Sequence, residues 1–334
     1  MSKKANFKII MVNSFKGGTG KSSLALAHCL YEWKRNEERE DTEEDIYYSR
    51  IFYVDIDRLG TSMSYYLFPD EKKKPCYFDK YSNEGINAIC NEVALLPYKK
   101  DGSGNDTSAY EDAEAERKSK SILYAVLLNP AANRRQNYQV QGRMMQHEKI
   151  ANIMFADELV RFFKECMETK ENRLFVIDCS PGLSELECRL LDKFYELQGD
   201  YALCVEEIYV TTFESGQIRK TVECLNACTK GIKRGNCDLS IVLNDIQNCI
   251  GATQVAQKNG EDFNVRWENV AEDILDKLSE KKNVKIRYKR YNEEQMKAGI
   301  VDNVTNLNNN IDAFMLSKEY RDGYITIEDR KETE

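Results

Sequence analysis

The sequence predicts an α/β fold in which a mostly parallel, twisted sheet carries helices on both faces. Short continuous apolar runs, such as residues 9–12 and 174–177, are typical of strands that are covered on both sides. Stretches with apolar residues at helical spacing separate these runs, which indicates right-handed βαβ connections between parallel strands. With 334 residues, of which 42% are hydrophobic, the chain can bury one large core.

The first elements form a strand, a loop and a helix. We predict the strand at residues 8–13 and the helix at about 21–35, where apolar residues recur on one face. The charged run at 36–45 is expected to be a solvated surface loop, because it cannot contribute to a core. A second strand is predicted at 50–55, and it ends in acidic residues at the edge where open α/β sheets bind ligands.

Later strands follow the same pattern, and we predict them at 173–178, 201–205 and 240–244. Each ends in a polar or acidic residue or leads toward one. Together these elements predict a single domain that spans residues 1–334.

That domain is interrupted by a long insertion at about 70–150. Its part at about 99–120 is rich in small and charged residues and is predicted to be a mobile loop. The basic, polar stretch at 134–143 is open to two interpretations, a surface that faces a partner or a solvated part of the insertion.

Composition and cysteine spacing bear on compartment and metal content. Eleven cysteines without an export leader predict reduced thiols in the cytoplasm. Cys224 and Cys228 have neither a second close pair nor a histidine set beside them, so we expect core packing and no metal cluster. No apolar stretch approaches the roughly 18–20 residues that a membrane span needs. Residues 321–334 lack the character of a basic amphipathic anchor, so we expect no direct membrane anchor.

The glycine-rich loop after the first strand carries the strongest chemical signal. A phosphate-binding loop needs backbone N–H groups turned inward, which favours glycine at crowded or positive-φ positions, and a helix N-terminus that favours an anion. Lys21 would then reach the β- and γ-phosphates, the Ser22 hydroxyl would ligate Mg²⁺, and Ser23 could reach the α-phosphate. The candidate ATP-binding residues here are Lys16, Gly17, Gly18, Thr19, Gly20, Lys21, Ser22 and Ser23.

The ordinary loop motif begins with glycine, but Phe15 stands at that position and Lys16 follows it. In this respect the sequence resembles the ParA/MinD family of deviant-Walker ATPases, whose loop has the form K-G-G-x-G-K-[S/T]. The resemblance implies a P-loop NTPase fold, ATP and Mg²⁺ as ligands, and a homodimer formed face to face with ATP. It also implies that Lys16 enters the partner subunit's site and, with Lys21, stabilises charge on the transferring phosphate. An ordinary solvent-exposed lysine is the alternative.

Other landmarks of the family occur in the expected order. Asp55-Ile56-Asp57 resembles the D-x-D of switch I, which implies that Asp57 orients the attacking water. Residues 178–182 resemble the switch II pattern D-x-x-P-G, with Asp178 holding a Mg²⁺-bound water and Pro181 and Gly182 near the γ-phosphate. Asn244 matches the adenine-reading position. The resemblance thus implies Ser22, Asp55 and Asp178 as the metal ligands.

One departure concerns the residues after the D-x-D pattern. Many partition members continue with Pro-Gln-Gly-Asn, whereas residues 58–61 here are Arg-Leu-Gly-Thr. The glycine is kept and the proline is lost. We therefore expect hydrolysis that is slow or dependent on a stimulating partner protein.

DNA binding would have to come from a local basic patch, because the net charge of −8 makes the surface as a whole a poor binder of polyanions. Residues 281–290 form such a segment and contain no acidic residue. In partition members of the family the bound surface is nonspecific DNA, which makes this segment the nucleic-acid candidate. An exposed strand or helix end with ordinary lysines is an equally open interpretation. The basic residues are Lys281, Lys282, Lys285, Arg287, Lys289 and Arg290.

The leading hypothesis is a ParA-like ATPase that drives partition or positioning of DNA or another large cargo, nucleoid-associated if it binds DNA. A MinD-like membrane-associated ATPase, or an ATPase with a protein cargo and no DNA binding, is the alternative. A capsule-export tyrosine kinase is disfavoured because only Tyr320 and Tyr324 lie near the end. An iron–sulfur carrier is disfavoured by the placement of Cys179, and a GTPase by the lack of an N-K-x-D arrangement at residues 243–245.

Overall fold

The structure is a computed structural model that describes residues 6–38, 47–57, 91–96, 98–100, 106–108, 120–127, 148–182, 184–229, 237–244, 263–278, 284–289 and 324–326. Its helices are α1 (Lys21–Glu38), α2 (Glu148–Met167), α3 (Glu185–Leu197), α4 (Ser215–Thr229) and α5 (Phe263–Lys277). Its strands are β1 (Phe7–Ser14), β2 (Arg50–Asp55), β3 (Asn91–Leu96), β4 (Tyr98–Lys100), β5 (Asp106–Ser108), β6 (Ile122–Leu127), β7 (Arg173–Pro181), β8 (Leu203–Thr211), β9 (Cys237–Asn244), β10 (Val284–Lys289) and β11 (Tyr324–Thr326).

A single large sheet organises these elements, in the order β11-β10-β9-β8-β1-β7-β2-β6-β3. The strands from β10 to β6 in that order pair in parallel. The edge strands β11 and β3 pair antiparallel to their neighbours. The predicted α/β fold with a mostly parallel sheet is therefore confirmed. Strands β4 and β5 form a separate antiparallel pair.

Helices cover both faces of the large sheet, and β1 shows why its apolar run is continuous. Ile10 and Val12 pack with residues of α1 on one face. Ile9 and Met11 belong to a second cluster that includes residues of α2 and α3. A strand buried on both sides needs apolar residues at every position, since alternate residues point to opposite faces.

Four buried phenylalanines fix α2 and α3 against strands β2 and β7. The ring centroid of Phe175 lies 4.9 Å from that of Phe52 and 5.0 Å from that of Phe163. Phe163 in turn lies 5.2 Å from Phe194. Burying each ring contributes roughly 1.5–3 kcal/mol to folding, so this cluster is a major source of stability for this half of the sheet. A further cluster packs α4 and α5 against strands β8 and β9.

Helix α1 extends beyond its predicted end, so the interpretation of residues 36–38 as solvated loop is wrong. The reason is Asn36, which is buried and whose side-chain amide donates to the Tyr48 carbonyl at 2.8 Å and to Ser121 Oγ at 3.3 Å. These long-range bonds satisfy a polar group within a charged run. Residues 39–45 lie outside the described residues.

Strand β8 is also longer than predicted and runs from Leu203 to Thr211. Two acidic residues interrupt its apolar run, but each has a partner from another element. Glu206 pairs with Lys8 at 2.8 Å. Glu207 is fully buried and accepts from the hydroxyls of Tyr195 and Tyr209, each at 2.6 Å.

The region at about 70–150 contributes strands β3 and β6 to the large sheet, and β6 pairs in parallel with β2. Within 99–120, the structure has part of β4 and all of β5. The remainder of the predicted loop up to residue 119 and the basic stretch at 134–143 lie outside the described residues, so both predictions stand as they were. None of the described helices has the length and apolar character needed to cross a membrane.

Candidate active site

The topology brings the predicted site residues to one edge of the sheet. Strand β7 lies between β1 and β2, and its residue Asp178 is in register with Val12 on one side and Asp55 on the other. Because the three strands are parallel, their carboxyl ends meet at the same edge. The glycine loop after β1 and both carboxylates therefore converge.

The loop between β1 and α1 depends on glycine at two positions. Gly18 has φ of 77° and Gly20 has φ of 81°, a region that residues with a Cβ rarely adopt. Gly17 differs, because a Cβ built there would meet no atom of the described residues within 4 Å and its φ lies outside the positive region. Within the described chain, nothing requires glycine at position 17. The loop closes onto the helix through the Leu24 amide, which donates to the Gly20 carbonyl at 2.9 Å.

Lys21 is buried at the start of α1, with 5% of its surface exposed. Its ammonium forms an ion pair with Asp178 Oδ1 and lies 3.4 Å from Ser22 Oγ. Burial alone would lower the pKa of Lys21, but the attraction of Asp178 outweighs it and the pKa is raised. Lys21 thus stays charged. Ser22 and Ser23 follow it in the first turn of α1 and are half-buried.

The second oxygen of Asp178 has a partner that sequence reasoning missed. The hydroxyl of Tyr53, on β2, donates to Asp178 Oδ2 at 2.8 Å. Tyr53 is fully buried, and burial together with the Asp178 charge raises its pKa well above the ordinary value. The phenol therefore remains a hydrogen-bond donor. Its position two residues before Asp55 was the available signal, because alternate residues of a strand share a face.

Asp55 is buried next to this network. Its Oδ1 accepts a hydrogen bond from the Asp57 amide at 3.0 Å. Burial and the neighbouring charges of Asp178 and Asp57 raise the pKa of Asp55 well above its ordinary range. Asp57 itself is half-buried at the end of this turn. Two carboxyl groups and one ammonium, from Asp55, Asp178 and Lys21, thus share this site.

The segment after Asp178 is tied to β1 and to α3. Gly182 has φ of 83°, and its amide donates to the Ser14 carbonyl at 2.7 Å. The buried carboxylate of Glu187 accepts from the amides of Ser180 at 3.1 Å and Ser184 at 3.0 Å. Glu187 therefore holds both ends of the turn, a role that the sequence did not reveal. Pro181, which is exposed, is in register with Ser14.

Asn244 ends β9 and lies against the glycine loop. Its side-chain amide donates to the Thr19 carbonyl at 2.7 Å, and both residues are buried. Its Oδ1 has no hydrogen-bond partner among the described residues. Asn244 thus supports the loop, and an adenine-reading role remains a prediction.

Lys16 is exposed, in contrast to its neighbour in the sequence. The Phe15 ring is buried and stacks on Tyr209, with centroids 5.5 Å apart. The Lys16 ammonium pairs with Glu214 Oε2 at 3.3 Å, where both side chains are more than half exposed. Sequence reasoning did not single out Glu214. Both members of the pair line a cavity of about 240 Å³, together with Thr19, Gln217 and Lys220.

The basic segment lies partly on β10. Lys285, Arg287 and Lys289 are alternate residues of this strand, and the Lys289 backbone is in register with Asn244. The end of β10 therefore reaches the same edge of the sheet as the site. Lys281, Lys282 and Arg290 lie outside the described residues.

The oxygen atoms at the site fit a small divalent cation. Mg²⁺ is usually bound through one or two carboxylates together with hydroxyls, waters and substrate phosphates. Asp178 and Ser22 already share a cation, the Lys21 ammonium, and Asp55 lies opposite Asp178. Among the described residues, no group of three or more His, Cys, Asp and Glu side chains is placed to hold a metal ion.

This chain is similar to several solved structures. No protein-family model matches the chain, and no curated protein matches it. A plasmid partition protein from Borrelia burgdorferi B31 bound to AMPPNP is 13% identical, with 94% of this chain and 99% of that chain covered and a TM-score of 0.43. The pNOB8 ParA structure is 11% identical over 83% of this chain and 74% of that chain, with a TM-score of 0.45.

A nucleotide-binding protein from Archaeoglobus fulgidus in complex with ADP is 13% identical over 95% of this chain and 91% of that chain, with a TM-score of 0.36. Plasmid partition proteins are thus among the solved structures to which this chain is similar. Because the identities and TM-scores are low, the function proposed below depends on the residues of this chain.

Proposed function

We propose that this chain is a ParA-like ATPase that binds ATP with Mg²⁺, dimerises face to face and hydrolyses ATP to drive partition or positioning of a large cargo. One observation carries the proposal. A glycine loop with two positive-φ residues opens a helix, and the helix's first lysine lies against an acid near the carboxyl end of the adjacent parallel strand. This arrangement offers backbone N–H groups, a helix N-terminus and a buried cation to a polyphosphate.

In this proposal, Lys21 exchanges Asp178 for the β- and γ-phosphates when ATP binds. Amides of the loop from Lys16 to Gly20 surround the phosphates, and the hydroxyls of Ser22 and Ser23 complete the contacts. Mg²⁺, held by Ser22, Asp55 and Asp178 directly or through water, would neutralise charge on the phosphates. The adenine end would be read near Asn244.

Hydrolysis then needs a positioned water and stabilised charge. Asp57 would orient the water that attacks the γ-phosphorus, and the bond from that phosphorus to the bridging oxygen of ADP breaks. The partner subunit's copy of Lys16 would supply charge to the transferring phosphoryl group, while Gly182 and Pro181 border it. Lys16 suits this role because it is exposed and, among the described residues, its ammonium is held by an exposed ion pair that costs little to break.

Size-exclusion chromatography of the full chain with ATP and Mg²⁺ tests this proposal. We expect a dimer for the wild type, loss of both ATP binding and dimerisation in Lys21→Ala, and retained ATP binding with weaker dimerisation and turnover in Lys16→Ala. Lys34→Ala is the matched control, because Lys34 is 13 residues further along α1, roughly 20 Å away. If Lys21→Ala bound ATP with wild-type affinity, the proposal that the nucleotide binds at the glycine loop would be wrong. If dimerisation and ATP turnover were unchanged in Lys16→Ala, Lys16 would not act in the partner subunit's site.

We propose that the dimer binds nonspecific DNA and that residues 281–290 contact the DNA. The support is the alternation of Lys285, Arg287 and Lys289 along β10 and the arrival of β10 at the site edge. The Asp57→Ala variant is expected to hold ATP without hydrolysing it. It should bind DNA and retard its electrophoretic mobility at low salt and do so much less at high salt, because contacts to DNA phosphates release counterions. Combined replacement of the three residues by alanine should abolish this mobility shift. A dimer that ignores DNA at both salt concentrations would instead indicate a protein cargo.

A further inference from the structure

We propose that Tyr53 is a positioning residue, whose hydroxyl keeps the Asp178 carboxylate oriented toward Mg²⁺ once Lys21 has turned to the phosphates. The inference deepens the proposed function and rests on it. It concerns a hydrogen bond between strands β2 and β7, and Tyr53 belongs neither to the glycine loop nor to the switch patterns.

The geometry gives each oxygen of Asp178 its own partner. Oδ1 faces the Lys21 ammonium, and Oδ2 accepts from the Tyr53 hydroxyl at 2.8 Å. All three side chains are almost completely buried, with 0% of Tyr53, 1% of Asp178 and 5% of Lys21 exposed. A buried carboxylate that lacks partners is costly, so both contacts contribute to its placement.

The two partners differ in what they do on ligand binding. Lys21 is the loop lysine, and in the proposed complex its ammonium moves to phosphate oxygens. Oδ1 then becomes available. Tyr53 stays, because its ring belongs to the packed cluster between the sheet and α1, together with Leu26 and Val176. When the ring is fixed in this way, the hydroxyl keeps one free torsion, the rotation of its hydrogen about the C–O bond.

Strand β2 would in this way place both carboxylates of the site. It carries Asp55 directly at its end, and it sets Asp178 through Tyr53, two residues earlier. Partners that orient ligating carboxylates affect metal affinity strongly even though they do not touch the ion. Loss of the Tyr53 hydroxyl should therefore change metal-dependent binding more than binding of the nucleotide alone.

The chain provides a matched control in Tyr195. Its hydroxyl also donates to a buried carboxylate, Glu207, at 2.6 Å, and that carboxylate keeps a second phenol donor in Tyr209. Tyr195→Phe removes the same chemical group from a carboxylate on β8. Tyr53→Phe keeps the ring that fills the core, so a purely packing role would leave the variant like wild type.

The experiment measures the affinity of the full chain for a fluorescent ATP analogue across a Mg²⁺ titration and in EDTA, after thermal melts show that each variant is folded. In Tyr53→Phe we expect the gain in affinity due to Mg²⁺ to fall by about tenfold, with affinity in EDTA within roughly twofold of wild type. Tyr195→Phe should match wild type in both conditions.

Two outcomes would overturn the inference alone: an unchanged Mg²⁺ dependence in Tyr53→Phe, or an equal loss of affinity with and without Mg²⁺. If the wild type binds no nucleotide, or gains no affinity from Mg²⁺, the proposed function fails and this inference fails with it. The two failures are therefore distinguished by the wild-type titration.

Discussion

Gly17 and Gly18 are neighbours with different constraints. Gly18 needs its positive φ, whereas the described chain leaves open space around Gly17. We infer that Gly17 leaves room for another group, such as a phosphate or a partner subunit, to approach the backbone closely.

We predict that Gly18→Ala lowers the free energy of unfolding by about 1–2 kcal/mol, the cost of a left-handed conformation for a residue with a Cβ. Gly17→Ala should melt like wild type and yet bind ATP or dimerise more weakly. Urea unfolding and ATP titration of the two variants check this, and each serves as the other's control. A destabilised Gly17→Ala, or one with wild-type ATP binding and dimerisation, would contradict the assignment.

The raised pKa of Asp55 makes it a source of pH-dependent instability. A group whose pKa is higher in the folded state contributes stability below its ordinary value of 3.8, and that contribution is lost as pH rises through the folded value. At neutral pH, the burial of the Asp55 carboxyl beside Asp178 therefore lowers the free energy of unfolding.

We predict that Asp55→Asn, which keeps the oxygen that accepts from the Asp57 amide, melts at a higher temperature than wild type at pH 7 in EDTA, by roughly 2 °C or more. The difference should shrink as the pH falls below the ordinary value of 3.8, where the carboxyl becomes protonated in both states. Melting curves of both proteins from about pH 3 to pH 8 test this. A difference that stays constant with pH, or a less stable variant at pH 7, would show that Asp55 does not titrate in this way.

At the scale of single elements, helix α3 joins the turn after Asp178 to the core. Ser184 caps the helix by accepting from the Leu186 amide at 3.2 Å, and its amide donates to Glu187 in a capping box. The same Glu187 carboxylate holds Ser180. One helix start therefore supports both the helix and the turn.

Replacing Ser184 by alanine removes the cap and should lower the free energy of unfolding by about 1 kcal/mol. Ser184→Thr keeps a hydroxyl at the same place and is the control. Because the turn shares Glu187, we also expect faster hydrogen exchange of the Ser180 amide in the alanine variant. Equal stability of the alanine and threonine variants would mean that the cap contributes nothing.

Sequence predicted elements well where their constraints are local. The strand at 50–55 was predicted with its observed bounds, since a short apolar run lies between Arg50 and Asp55. The extension of α1 and the length of β8 were missed because Asn36 and Glu206 are satisfied by partners far along the chain, Ser121 and Lys8, and Glu207 by the hydroxyls of two tyrosines. Strand β6 was not predicted, although its sequence ILYAVL has the same apolar run.

The same division holds for the site. The glycine loop could be recognised because phosphate binding fixes the spacing of its residues. The acids at the end of β2 and within β7 could be recognised from their positions near strand ends and from the resemblance to the ParA/MinD family. Glu214 could not, since its contact with Lys16 spans 198 residues. For Tyr53, the position two residues before Asp55 indicated the face of the strand, but its partner Asp178 lies 125 residues away. Pairwise contacts of this kind arise only when the sheet assembles.

For the whole molecule, ligand binding should appear as added stability. A ligand that binds only the folded state at about 100 times its Kd raises the free energy of unfolding by roughly 2.7 kcal/mol. We therefore expect ATP with Mg²⁺ to raise the Tm of the wild type by several degrees, and GTP at the same concentration to raise it less. Lys21→Ala should show no increase. An equal increase in that variant would place the nucleotide elsewhere.

The Gly182 amide donates to the Ser14 carbonyl, and in the proposed complex a terminal phosphate would compete for this amide. To reach a γ-phosphate, Gly182 would have to release the strand that leads into the glycine loop. A diphosphate offers no atom to take over this amide, and the native bond would stay in place. The hydrogen-bond partner of the Gly182 amide would thus differ between a bound triphosphate and a bound diphosphate. Because Glu187 connects this turn to α3, the helix would respond to the difference.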